Sequence, residues 1–415
     1  MSSTEIPASA TSFKINLFAL GCFLLSLYLL NQQFSSSDAA TMLMVLASWA
    51  VPVVILEALF LKRLPQINSK RFSISRSATK LLGLYATIAL YACLYWLFDE
   101  YHGSFYNPYW DFLRLIGPWV LIGAIPYVYL IDSGMEQPRD GYYHFGNFLL
   151  RNTKHFETAI VWQHLLGWLV KAYFLPLMLV YFAGTCKFFV NYPIGNIGQN
   201  FKTFYDFSWE LIFGIDLAIV CVGYLMTLKV FDSHIRSTEP TLSGWLCALI
   251  CYQPFWSLIS AGYLAYNKDN YNWGAWLGDN DIAYMIWGSL ILLLITIYSL
   301  SSVTFGLRFS NLTHRGILTN GPYRYSKHPA YLSKNLSWWL IAIPFITTSG
   351  DSFEALRNVC LLLGLNLVYY ARAKTEERHL SQDAVYRQYM AAMEEHSLLA
   401  KLRRSARSFL KLQQN

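Results

Sequence analysis

Two short stretches near the end of the chain hold residue types that can do chemistry. The first is Asn320-Gly321-Pro322-Tyr323-Arg324-Tyr325-Ser326-Lys327-His328-Pro329-Ala330-Tyr331, which lies between two strongly apolar segments. Each proline fixes its own φ and biases the residue before it away from helix, so Gly321 and His328 are expected in extended or turn geometry. A stiff, aromatic and basic loop of this kind presents its side chains in fixed directions, as one wall of a cofactor site must. The second stretch is Tyr369-Tyr370-Ala371-Arg372-Ala373-Lys374-Thr375-Glu376-Glu377. Here a carboxylate, Glu376 or Glu377, can accept from hydroxyl or amino groups. Tyr323 and Tyr331 can stack on a ring or donate hydrogen bonds, and Arg324, Lys327 or Arg372 can pair with a carboxylate or another anion. Taken singly, these groups have plainer readings. Arg372 and Glu376 are an i,i+4 pair on a charged helix, and Arg324 and Lys327 suit anionic lipid head groups.

The elements that must bring the two stretches together are membrane helices. The chain is 55% hydrophobic and only 14% charged, against about 25% charged in a soluble domain. Its apolar runs are roughly 18 to 25 residues long, enough to cross about 30 Å of hydrocarbon as helices. The fold class expected is an all-α, polytopic integral membrane bundle of about ten spans: 13–31, 41–61, 81–98, 112–131, 158–183, 207–229, 244–266, 282–305, 336–348 and 355–371. The last two form a tight hairpin, with the short 336–348 interrupted by Pro344, so Tyr323–Tyr331 and Arg372–Glu377 should lie side by side. With the N-terminus in the cytoplasm, most of the 32 Lys and Arg fall in segments on that side, among them Lys62, Arg63, Lys70 and Arg71. The positive-inside rule then places both termini and the Tyr323–Tyr331 loop in the cytoplasm, in a bacterial inner membrane or an endomembrane. Phe13–Leu30 reads as a retained first span, because it is too long for a signal-peptide core.

Three regions follow: an N-terminal membrane bundle over 1–305, a core with the candidate site over 306–398, and a basic tail over 399–415 suited to a lipid surface. Glu57, His164, Lys171, Glu210 and Asp216 fall inside spans, where ionisable groups face either a polar path or a partner on another helix. Cys247 and Cys251, one turn apart with no histidine or acid nearby, read as packing, and no metal site is expected. Neither a G-x-G-x-x-G fingerprint nor a Walker loop is present in the sequence, so any chemistry must use the helices and their loops.

Gly321-Pro322-Tyr323, His328-Pro329 and Tyr331, followed after the hairpin by Glu376-Glu377-x-x-Leu380 and Tyr386-x-x-Tyr389, resemble the isoprenylcysteine carboxyl methyltransferase superfamily, which includes the membrane phospholipid N-methyltransferases. The resemblance covers roughly Leu307–Met393. It implies an enzyme that uses S-adenosylmethionine at the cytoplasmic end of the last helices, with a membrane-embedded lipid or lipidated acceptor and no nucleic-acid partner. Carried over, Tyr323, His328, Pro329, Tyr331, Arg372 and Glu376 or Glu377 would hold the cofactor, with Arg324 and Glu377 in the catalytic positions. Two positions depart from the family pattern: Lys327 stands where arginine is frequent, losing the bidentate fork, and Ser333 where glycine is frequent. Methyl transfer from a sulfonium is an in-line displacement, so the protein's task is orientation. Two rivals are an NADPH-dependent membrane reductase, for which Arg308, Arg315 and Arg324 offer charge for a 2′-phosphate, and a transporter or noncatalytic scaffold built around Lys171 and Asp216.

Overall fold

Without water in the bilayer, apolar segments must close their backbone hydrogen bonds internally, and helices do this within one segment. The computed structural model describes residues 5–31, 39–61, 72–402 and 404. In chain order its helices are α1 (Phe13–Leu30), α2 (Ala39–Leu61), α3 (Ile74–Leu97), α4 (Asn107–Gly134), α5 (Gly141–Leu149), α6 (Thr158–Asn191) and α7 (Phe201–Leu225). There follow α8 (Leu242–Leu249), the single turns α9 (Phe255–Leu258) and α10 (Trp273–Trp276), α11 (Asp281–Val303), α12 (Pro329–Ala342), α13 (Ser352–Leu380) and α14 (Ala384–His396). One two-residue antiparallel pairing joins β1 (Ser237–Thr238) to β2 (Thr313–His314), with Ser237 opposite His314. Lys62, Arg63, Lys70, Arg71 and most of the 399–415 tail lie outside the described residues.

Seven of these helices, α1 to α4, α6, α7 and α11, are long and apolar enough to cross a membrane. The three other expected spans take different forms, each for a local reason. Segment 244–266 is broken after α8 by the Gln253–Pro254 step and continues as a single turn and a π-helical turn over Ile259–Tyr263. The Gln253 carbonyl left outside a helix accepts from Tyr173 Oη at 2.5 Å. Helix α12 starts seven residues earlier than the apolar run, at Pro329, whose fixed φ suits a first helical position. It stops at Ala342 because Ile343, forced out of helical geometry ahead of Pro344, turns left-handed with φ 41°. Helix α13 has 29 residues, but Arg357 and Arg372 interrupt its apolar face.

The core runs along α6 and α7, where Val170, Phe174, Leu179, Phe182, Ile219 and Cys221 are buried, and is closed by Phe23 of α1 and Trp49 of α2. On the outside, Phe18, Trp96 and Trp119 are exposed, which is the surface that lipid covers. The ionisable groups inside spans follow the pairing reading more than the path reading. Glu57 meets Arg308, His164 Nε2 is hydrogen-bonded to Thr87 Oγ1 at 2.9 Å, and Lys171 Nζ lies 4.3 Å from the Trp168 ring centroid. Glu210 is exposed, and Asp216 belongs to the site described below.

The loop after α11 is the junction between the bundle and the site. Arg308 is 2% exposed and pairs with Glu57 of α2 at 3.1 Å. Arg315, equally buried, donates to the carbonyls of Gly223, Phe309, Ser233 and Leu307. The bond to Gly223, with one to the Met226 carbonyl, meets acceptors at the C-terminal end of α7, where a cation also suits the helix dipole. Residues before α1 lie over the same loop: Ala10 N donates to Ile317 O at 2.8 Å, and Thr319 Oγ1 donates to Pro7 O at 2.7 Å. Thr11 Oγ1 donates to Thr304 O, and Asn320 Nδ2 to Thr11 O, both at 2.7 Å. Gly321, at φ 55°, tolerates a conformation whose Cβ would lie 2.7 Å from Thr304 Oγ1.

Removing one partner of a buried ion pair strands the other charge, at a cost of about 3–5 kcal/mol. Glu57→Ala should therefore lower the thermal unfolding midpoint of the purified protein markedly, whereas Glu57→Gln, which retains an acceptor for Arg308, should lower it less. Equal midpoints for wild type and Glu57→Ala would refute the pairing's weight.

Candidate active site

Helices α12 and α13 are antiparallel neighbours, so the start of one meets the end of the other. His328 is the N-cap residue of α12, with φ −133° and ψ 60°, the non-helical geometry expected before a proline. Its Nε2 donates to Glu377 Oε1 at 3.1 Å. Lys327 Nζ lies 2.7 Å from the same oxygen, and Lys374 Nζ lies 2.8 Å from Glu377 Oε2. The His328 hydrogen bond, with those from Lys327 and Lys374, holds the Glu377 carboxyl well below the usual carboxylate range and outweighs its burial. This ion cluster latches the hairpin shut.

Tyr331, one turn into α12, is the centre of the other half. Its hydroxyl donates to Glu376 Oε1. Its ring is stacked on the His328 imidazole (centroids 5.6 Å apart, planes at 7°) and meets Tyr369 edge-on at 5.6 Å. The Arg372 guanidinium carbon sits 5.1 Å from the Tyr331 centroid and 5.4 Å from that of Tyr252, so the cation lies between two aromatic faces. Arg372 is 6% exposed. One terminal nitrogen donates to Asn311 Oδ1 at 2.7 Å, and Asn311 is itself fixed by Tyr224 Oη and Tyr252 Oη. Arg372 Nε has no hydrogen-bond acceptor among the described residues; the nearest carboxylate oxygen, Glu376 Oε1, is 3.5 Å away. Burial raises the Tyr331 phenol well above its ordinary value, so it remains a donor at any physiological pH.

These groups open onto one cavity of about 220 Å³. Tyr323, His328, Tyr331, Arg372 and Glu376 line it, together with Asn311, Tyr252, Glu239, His379, Asp216, Tyr298 and Lys334. Sequence spacing anticipated five of these residues. Pro329 is buried as the first residue of α12 and acts through backbone geometry. Arg324 is not among the residues lining the cavity: its position, the last of a 3₁₀ turn over Gly321–Arg324, is exposed. Glu377, expected beside it in a catalytic position, is spent in the ion cluster and also does not line the cavity. Lys327, the departure from arginine, is engaged in the same cluster. Asn311, Tyr252, His379 and Glu239 had no spacing signal. His379, held below its ordinary pKa by burial, is hydrogen-bonded to Ser237 Oγ at 2.9 Å, and the β1–β2 pairing that positions Ser237 is too short to read from a sequence. Asp216 had a signal, as a carboxylate inside a span, and Tyr386 and Tyr389 had theirs in the motif. Tyr389 Oη donates to Tyr323 O at 2.6 Å, tying α14 over the loop.

Of the three arginines that suit a 2′-phosphate, Arg308 spends its terminal nitrogens on Glu57 and the Phe231 carbonyl, Arg315 is surrounded by carbonyls, and Arg324 is outside the cavity.

The fold and the cavity define a multi-pass membrane protein with an aromatic and charged site at the end of its last helical hairpin. Residues 282–382 match the Isoprenylcysteine carboxyl methyltransferase (ICMT) family model, and the match supports a membrane methyltransferase in general. No curated protein and no solved structure matches the chain.

A depressed carboxylate pKa contributes stability that is fully present above the unfolded value, about 4.3 for glutamate, and is lost as the pH falls through the folded value. Glu377→Gln should therefore destabilise the protein by about 2 kcal/mol at pH 7, the scale of hydrogen bonds to a charged group. The gap to wild type should shrink as the pH is lowered below about 4. Thermal midpoints of both proteins between pH 3 and 7 give the comparison; a gap that widens toward acid contradicts the latch.

Proposed function

We propose that the chain is an integral membrane methyltransferase that uses S-adenosylmethionine and modifies a lipid or lipidated acceptor, through a carboxylate or an amine, at the cytoplasmic face. The observation that carries this reading is Arg372: a buried cation held between two tyrosine rings, with an unspent Nε–H directed beside Glu376 in a cavity that continues among the membrane helices. The donor set fits an amino-acid-bearing nucleoside cofactor. Arg372 Nε is an orphan donor for a carboxylate, Glu376 is an acceptor for an amino or hydroxyl group, and Tyr323 offers an aromatic ring for a purine.

When bound, S-adenosylmethionine supplies an electrophilic methyl group on a sulfonium. The chain's own contribution is geometric and electrostatic. Arg372 is prevented from swinging by Asn311 and by its two aromatic neighbours. Tyr331 fixes Glu376 by its hydroxyl, and the Glu377 cluster fixes the loop from which Tyr331 emerges, so the site is organised before anything enters. The apolar walls exclude water and provide the low dielectric in which charge-neutralising transfer is favoured. In this reading residues 306–398 hold the cofactor, and the helices over 1–305 receive the acceptor. The 399–415 tail, basic in sequence, suits an anionic membrane surface.

Calorimetric titration of the purified protein with S-adenosylhomocysteine checks the proposal. Wild type should bind. Arg372→Lys, which keeps charge but loses the planar fork, should weaken binding about tenfold, equivalent to ~1.4 kcal/mol, and Arg372→Ala and Glu376→Ala should weaken it further. Absence of binding to wild type would overturn the assignment.

A further inference from the structure

The loop before α12 carries a cation that the cavity does not use. Arg324 ends the 3₁₀ turn over Gly321–Arg324 and is exposed, and its side chain makes no hydrogen bond or ion pair with any described residue. A second unclaimed surface is fastened beside it. After α14 the chain turns at Ser397, whose Oγ accepts from Ala400 N at 3.2 Å and caps a further helical turn over 398–402. Leu398 N donates to Tyr325 O at 2.9 Å. Leu398, Leu399 and Leu402, like Tyr325, are each more than half exposed. At 100° per residue the three leucines fall on one face of the turn, and Lys401, exposed and unpaired among the described residues, flanks it. By contrast, Tyr386, Tyr389 and Met393 of α14 are buried with Ile317. The leucines stand where the apolar outer surface ends: Leu332 and Leu336 are exposed one turn apart on α12, and Tyr325 lies just before that helix. Residues 397–415 contain Lys401, Arg403, Arg404, Arg407 and Lys411, and no Asp or Glu.

We propose that Arg324, Tyr325 and the 398–402 turn form a seat for an anionic bilayer surface, with the three leucines at the head-group boundary and Arg324 and Lys401 against lipid phosphates. A short amphipathic turn gains from apolar burial at that boundary, and cations beside it gain from the negative surface potential. The planar fork of Arg324 matches phosphate oxygens. A lipid surface fits better than a protein partner, because the leucines continue the lipid-facing side of α12 and the unpaired charges beside them have one sign. The seat shares backbone with the candidate site. Tyr325 O holds Leu398, Tyr323 O accepts from Tyr389 Oη at 2.6 Å, and the same stretch runs on to His328 and Tyr331. Lipid charge at this surface therefore restrains the loop that supplies Lys327 and His328 to Glu377. The seat requires no assumption about the reaction.

Hydrogen–deuterium exchange of the full chain in lipid nanodiscs tests the seat, comparing discs of phosphatidylcholine with discs of equal parts phosphatidylcholine and phosphatidylglycerol. Amides of 397–402 and 323–328 should exchange more slowly in the anionic discs, and added salt should shrink the difference. Arg324→Gln should lower the protection of both stretches in anionic discs about fivefold, the scale of one cation at such a surface, and leave the neutral discs unchanged. Leu399→Ser/Leu402→Ser should lower protection of 397–402 in both kinds of disc. Unchanged exchange along α6 and α7 shows that the variants are folded. Equal exchange of 397–402 in the two discs overturns the proposal. So does protection that rises with the number of chains per disc, which assigns the leucines to a second copy. Protection lost from neutral discs on deletion of 405–415 overturns it too, by assigning them to the chain's own end.

Discussion

The structure depends on one carboxylate. Glu377 receives His328 and Lys327 from the start of α12 and Lys374 from its own helix, and no other described side chain gathers three nitrogen donors in this way across the hairpin. Charge-assisted hydrogen bonds of this kind are short and directional, so they determine where Pro329 begins its helix and therefore where Tyr331 projects. Tyr331 in turn orients Glu376 and covers one face of Arg372. A shift of the latch would move every group in that chain together. Glu377 is thus engaged by cations on both oxygens, whereas its neighbour Glu376 stands half-buried at the cavity wall.

The same division explains what the sequence revealed. The hairpin was legible because Pro329 and Pro344 have strict backbone requirements and because two polar stretches flanked a short apolar run. Convergence of His328, Tyr331, Arg372 and Glu376 followed from that topology alone. The division of labour between Glu376 and Glu377 was not legible, since adjacent residues on a helix differ by 100° in direction and only the packing decides which faces in. Arg324 illustrates the converse: a basic residue within a motif whose 3₁₀ turn places it outward. Seven of the ten expected spans are long apolar helices; the rest differ where polar residues and prolines are embedded in apolar text, at Gln253–Pro254 and along α13. Asn311 and Tyr252 were invisible because their roles arise from one loop meeting a broken helix, a contact that no periodicity encodes.

Loop 304–321 shows how buried cations can serve architecture. Arg308 joins α2 to this loop through Glu57, and Arg315 ties the end of α7 to the loop by donating to Gly223 O on one side and to Phe309 O and Leu307 O on the other. Both are guanidinium tasks: several donors in a fixed plane satisfy carbonyls that a lysine could reach only one at a time. Because these contacts connect the loop to α2 and α7, the geometry at Asn311 and Arg372 is referenced to the membrane bundle. The α12–α13 hairpin and the earlier helices therefore form one mechanical unit around the cavity.

The packing of residues 5–12 against that loop bears on how the protein is made. Ile6 joins the cluster of Ile317, Tyr386, Tyr389 and Met393, and Glu5 O accepts from Gln388 Nε2 at 3.4 Å. Contacts such as Asn320 to Thr11 close a loop of 309 residues. A ribosome extends a chain at about 5–20 residues per second, so the segment before α1 leaves the tunnel tens of seconds before its partners exist. During that interval Pro7, Ala10 and Thr11 have only water or the membrane surface as neighbours. Docking of this early segment onto the 304–321 loop and α14 is consequently a late event in biogenesis, which follows insertion of the helices that carry its partners.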